Sequence, residues 1–187
     1  MSKIVWKPGT VLYPVPAIMA TCGDYDGEAN IITIAWTGTI NSDPAMTYIS
    51  VRKERHSYDI IVRTKEFVLN LTTESLAFAT DFCGVKSGAV MDKFAETGLT
   101  RERAQIVRAP LIKESPVNIE CKVRDIIPLG THDMFVAEVV SVSADEQYMD
   151  ANGKFNFQQS KPICYSHGAY YSVGHEIGKF GFSVKKK

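Results

Sequence analysis

The sequence predicts a mainly β fold, a single barrel decorated with a few short helices. Three observations carry this. Short apolar runs recur along the chain, separated by Gly, Pro and Asp turn signals. Val117–Val123 alternates with period two, which is the pattern of a strand in a sheet. Segments with helical character are few and short, and no Gly/Ser linker divides the 187 residues.

Ile18–Cys22 is the first apolar run, following Pro14 and Pro16. Asp24-Tyr25-Asp26-Gly27 turns the chain into Ile31–Trp36, which is apolar and β-rich. Asp43-Pro44 breaks it before the strand Met46–Val51. Ser57 is an N-cap candidate for a helix over Tyr58–Arg63, and Phe67–Leu71 is the next strand. Thr73 is placed to cap a helix Glu74–Phe82 that ends at Gly84, and Met91–Glu96 forms a third helix closed by Gly98. In Val117–Val123, residues 117, 119, 121 and 123 face a core, and Asn118, Glu120 and Lys122 face water. Pro128-Leu129-Gly130 reads as the hairpin loop leading into Phe135–Val142, a central strand.

Composition narrows the function. A chain of this length buries roughly 70% of its unfolded surface, enough for a core without disulfides or metals. With 21 basic and 21 acidic residues the formal net charge is zero, and a nucleic-acid partner is not expected. The run Lys185-Lys186-Lys187 reads as a solvated terminus. No apolar run approaches a membrane span, and Met1–Trp6 lacks the apolar stretch of a signal peptide. Cys22, Cys83, Cys121 and Cys164 have no CxxC or zinc-type spacing, so they read as reduced thiols of a cytoplasmic protein.

Three constellations carry possible chemistry. Arg52-Lys53-Glu54-Arg55-His56-Ser57 sits where a strand hands over to a helix, and basic side chains at a helix start suit a phosphate. The alternative is a solvated charged turn. Asn30–Asn41 sets Thr33, Thr37, Thr39 and Asn41 around Gly38 and Trp36, groups suited to a heterocycle; the alternative is an edge strand with a threonine face. Phe82–Gly88 followed by Asp92-Lys93-Phe94 adds Lys86, Ser87 and Lys93 as donors, or is only a helix end and a loop.

Other chemistry is missing its motif. There is no GxGxxG, GxSxG or HExxH. Gly174–Phe180 is one residue short of a phosphate loop between its glycines. His56, His132, His167 and His175 are dispersed, and no metal site is expected.

Taken in order, Pro14-Val15-Pro16, Asn30, Thr33, Ala35-Trp36, Asp43-Pro44, Val51-Arg52, His56-Ser57, Asp92-Lys93-Phe94, Pro110–Pro116, Glu120-Cys121 and Gly130-Thr131-His132-Asp133 resemble the flavin reductase-like, FMN-binding split-barrel family, most closely its flavoredoxin branch. The resemblance runs from about Tyr13 to about Phe180. It implies a Greek-key split barrel over residues 1–187 as one domain, a homodimer, and FMN near the subunit interface passing electrons.

The resemblance also implies site roles. Thr33, Ile34, Ala35, Trp36, Thr37 and Gly38 line the ring and ribityl chain. Val51, Arg52, Lys53, His56 and Ser57 surround the ribityl and phosphate, while Cys83, Gly84, Ser87 and Lys93 close the site. His132 matches the family residue beside a nicotinamide, although Thr131 stands where that motif has Asp. Three functions remain open: an NAD(P)H-dependent reductase, an electron carrier serving a protein or small-molecule partner, and a non-enzymatic ligand-binding barrel.

Overall fold

The computed structural model describes residues 2–184, so the lysine run 185–187 lies outside the described residues. In chain order the strands are β1 (Val15–Pro16), β2 (Ile18–Gly23), β3 (Ala29–Ile34), β4 (Thr37–Ser42), β5 (Ala45–Arg52), β6 (Glu66–Leu71), β7 (Arg101–Glu102), β8 (Leu111–Ile112), β9 (Val117–Pro128), β10 (His132–Ala144), β11 (Ile163–Ser166) and β12 (Ala169–Ser172). The α-helices are α1 (His56–Thr64), α2 (Ala77–Val85) and α3 (Lys93–Thr97).

Seven strands form one antiparallel sheet in the order β3-β2-β6-β9-β10-β5-β4. The chain leaves β5 through α1 and lays down β6, β9 and β10 side by side. β10 then returns beside β5, which closes a Greek key. The two edge strands, β3 and β4, are consecutive in the chain and separated by Ala35 and Trp36 alone. So short a link forces the sheet to curl until its edges approach. Among the described residues no ladder joins β3 to β4, and the barrel is split along that seam.

Alternation explains the core. Ile18, Ala20 and Cys22 of β2 face inward with Ile32, Ile34, Ile49, Val51, Phe67, Leu69, Cys121, Phe135 and Ala137, and Ile60 and Ile61 of α1 join them. Burying each large side chain contributes about 1.5–3 kcal/mol. Met19 and Ile31 face outward, where Leu76, Ala79 and Cys83 beside α2 and Phe94 of α3 cover them. Val68 is covered by Val107, Ala109 and Leu111.

The structure corrects several sequence expectations. The second face of Val117–Val123 is not wet, because Asn118 and Glu120 are buried. The Glu120 carboxylate accepts the backbone N–H groups of Gln105, Ile106 and Val107 at 2.9, 2.7 and 3.0 Å, which fastens the covering segment. Asn118 Nδ2 donates to Asn70 Oδ1 at 2.7 Å on the same face. Ser57 is not an N-cap: the helix begins at His56, and Arg55 occupies the cap position with extended backbone. The Thr73 helix is a 3-10 turn, Glu74–Leu76, continuing into α2, which runs through Gly84 rather than stopping there. The third helix starts two residues later than expected, because Asp92 caps it by accepting from Phe94 N–H at 2.9 Å. It closes at Gly98, whose φ of 68° is left-handed. β3 ends at Ile34, and Ala35-Trp36 is a bend.

Candidate functional site

Three clefts that share walls lie along β3 and the Ala35-Trp36 bend that follows it. The first, about 160 Å³, lies between β3, the β5–α1 turn, the end of α2 and the loop that follows it. It brings together His56, Ser57, Cys83, Gly84, Ser87 and Lys93 with Asn30, Arg55, Lys86 and Gly88. The second, about 150 Å³, is bounded by Thr33, Ile34, Ala35 and Trp36 on one side and Val51, Arg52 and His132 on the other. Arg55 and Ile32 belong to both clefts, so they are continuous. The third, about 410 Å³, shares Thr33, Ala35 and Trp36 with the second and adds Tyr13, Asp81, Tyr165 and Tyr170.

Each residue is held by its local structure. Asn30 Nδ2 donates to Ser57 Oγ at 2.7 Å, joining β3 to α1. Ser57 is therefore a buried side chain of the cleft wall. Lys93 is also buried, and its ammonium donates to the carbonyls of Ile31 and Cys83 at 2.7 Å each. Burial pulls its pKa below the usual lysine range, while burial pushes the Cys83 thiol up to about 11. Thr33 Oγ1 donates to the Thr80 carbonyl, which fastens β3 against α2. A Cβ on Gly84 would lie 3.2 Å from Thr33 Cβ, so glycine allows this close packing. Ser87 Oγ accepts from Ala89 N–H at 3.3 Å.

At the second cleft the rings of Trp36 and His132 lie 4.5 Å apart, tilted by 45°. Partial burial and the neighbouring Arg52 charge lower the His132 pKa, which favours the neutral ring. Arg52 pairs with Glu54 at 3.3 Å in an exposed contact. His56 faces Glu28 at 3.6 Å. Among the described residues, Arg55 makes no ion pair, and it lines both clefts.

Three expected site residues lie elsewhere. Lys53 pairs with Asp133 at 3.5 Å and lines none of the three clefts. Thr37 donates to the Tyr48 carbonyl at 2.6 Å and lines none of the three clefts, but a further cavity that adjoins the second at Ala35, Trp36 and Ser50. Gly38 packs beside the Tyr48 ring, where an added Cβ would come within 3.4 Å. Arg55, Asn30, Lys86 and Gly88 stood within the three constellations but were given no site role. Arg55 stood inside the basic run and Asn30 headed the polar segment, but nothing local marked them as facing one cleft.

The groove thus combines a cationic end with hydroxyl and amide donors, and an aromatic end with a neutral imidazole. The family profile described as "Flavin reductase like domain" matches residues 10–174. The chain is 30% identical over 150 residues to the uncharacterized protein PYRAB12460 of Pyrococcus abyssi, spanning 79% of this chain and 86% of that one. Among solved structures, flavoredoxin of Desulfovibrio vulgaris (Miyazaki F) superposes with a TM-score of 0.91 at 29% identity, over 98% of this chain and 100% of that one. Flavoredoxin from Methanosarcina acetivorans superposes with a TM-score of 0.90 at 26% identity, over 98% and 97% of the two chains.

Proposed function

Because the chain belongs to the flavin reductase-like family, we propose that this groove binds FMN and that the protein is an FMN-dependent oxidoreductase of the flavoredoxin type. The observation that carries this reading is the polarity of the groove. Arg55 and Lys86 stand at one end, suited to a phosphate dianion, and the Trp36–His132 pair stands at the other, suited to a flat ring. Asn30 and Ser57 supply neutral hydrogen-bonding groups beside the cations.

Bound flavin supplies the electron transfer, and the protein supplies position and electrostatics. Arg55 and Lys86 hold the phosphate, and Arg52 adds charge at the second cleft. Lys93 fixes β3 and stands with Arg55 and Lys86 at the cationic end of the groove, where it adds to the field that favours a phosphate. Trp36 excludes water from one side of the ring. No nucleophile or acid–base pair is required.

The quaternary proposal is a homodimer in the cytoplasm, with the groove near the subunit contact. NAD(P)H is the donor under the reductase reading, with neutral His132 at the ring end as the contact for its nicotinamide. The Thr131 departure favours the second reading, a carrier reduced by a protein partner.

The visible spectrum of the freshly purified protein, before and after anaerobic NADH, tests the proposal. Flavin bands followed by rapid bleaching establish the reductase. Bands that persist establish the carrier. A colourless protein that gains no bands on adding FMN refutes the flavin reading.

A further inference from the structure

A cavity of about 920 Å³ is bounded by the segment Gly9–Pro16 and by Trp36. Its walls are Val11, Leu12 and Val15 from that segment, Trp36 from the bend after β3, and Leu129 and Met134 from the β9–β10 hairpin. Among the described residues that line it, none carries a charge. The adjoining second cleft is walled by Arg52 and Arg55. The two spaces share Ala35, Trp36 and Ser50, so the cavity adjoins the proposed flavin groove.

This contrast selects a ligand class. A charged or phosphorylated reactant would lose hydration in the cavity with no counter-charge to replace it. An uncharged planar ring meets aliphatic and indole surface in a space of ordinary ligand size. The wall also offers the hydroxyls of Tyr48 and Ser50, which among the described residues make no side-chain hydrogen bond and are free to donate to carbonyl oxygens. We propose that this cavity binds an uncharged conjugated ring dicarbonyl of the quinone class as the electron acceptor. The acceptor role rests on the flavin reading above; the binding itself does not. The exchange balances as quinone plus two electrons and two protons giving hydroquinone, with two-electron-reduced flavin as the reductant and solvent completing the protons.

Isothermal titration of the purified protein with 2-methyl-1,4-naphthoquinone, with and without FMN, tests this. The comparison variants are Leu129→Asp and Val11→Asp, because both side chains are more than half exposed and a charge there leaves the core intact. The expected result is saturable binding at one site per chain, weakened at least tenfold in both variants, with FMN affinity unchanged. Absence of saturable binding, or binding that neither variant weakens, overturns the proposal. If the native protein excludes the quinone and Leu129→Asp halves its sedimentation mass, the cavity belongs to a contact between copies and the proposal falls. Quinone binding without any FMN binding would remove the flavin reading and the acceptor role, and leave the cavity as a binding site.

Discussion

Asn30 and Ser57 are 27 residues apart in sequence, yet Asn30 Nδ2 lies 2.7 Å from Ser57 Oγ in the wall of the first cleft. This bond ties an edge strand of the barrel to the first turn of α1. Asn30→Ala leaves the buried Ser57 hydroxyl without its donor, a cost of about 1–3 kcal/mol. The expected outcome is a lower urea midpoint at unchanged slope, together with weaker FMN retention. Unchanged flavin affinity in a stable variant would take Asn30 out of the site.

Among the described residues Arg55 makes no ion pair, and it lines two clefts. Arg55→Ala should weaken FMN by about 1.5–3 kcal/mol if it donates a charged hydrogen bond to phosphate. Riboflavin, which lacks the phosphate, should bind equally to both forms. Equal losses for the two ligands would show that Arg55 acts on the ring rather than the phosphate.

A Cβ on Gly88 would lie 2.0 Å from Asn30 Oδ1. Gly88→Ala therefore forces the loop after α2 away from β3 and opens the closed end of the first cleft. The core is untouched, so the thermal midpoint should stay near the native value while FMN dissociates at least tenfold faster. Stopped-flow dilution measures this rate.

His132 is held below its usual pKa by partial burial first and by Arg52 next. Its NMR titration should show a midpoint below 6.5, moving upward in Arg52→Ala as the repelling charge is lost. A midpoint that ignores Arg52 would place the guanidinium away from the ring.

Burial pushes the Cys22 thiol up to about 12 and the Cys83 thiol up to about 11, from 9.0 when exposed. In each case the folded chain retains a proton that the unfolded chain loses. Their contribution to stability is intact below pH 9 and is lost as pH rises toward 11–12. Each such thiol contributes a slope approaching about 1.4 kcal/mol per pH unit in that window. Urea unfolding at pH 8, 9.5 and 10.5 should show the decline, and Cys22→Ala should make it shallower.

The strands readable in the sequence were those whose pattern is set by the core. Ile18–Cys22, Phe67–Leu71 and Phe135–Val142 carry enough buried apolar residues to declare themselves. β4 did not, because Thr37–Ser42 is a polar edge strand with little to bury. β11 and β12 pair with each other and with two residues of β1, so their signal is local and weak. Glu120 was misread as solvent-facing because its burial depends on the segment near Val107, a partner that periodicity does not reveal. Residue types suited to a phosphate were visible in the run from Arg52 to Ser57. Which of them face the cleft was not: Arg55 turns in, and Lys53 turns toward Asp133.

The bond from Lys93 to the Ile31 carbonyl has a consequence apart from any ligand. β3 is a border of the sheet, and an uncovered strand border is a template on which another chain can add by backbone pairing. A buried ammonium seated on one of its carbonyls makes that border a poor docking place for a stranger. Lys93 thus withdraws one backbone acceptor from strand addition at the open side of the barrel.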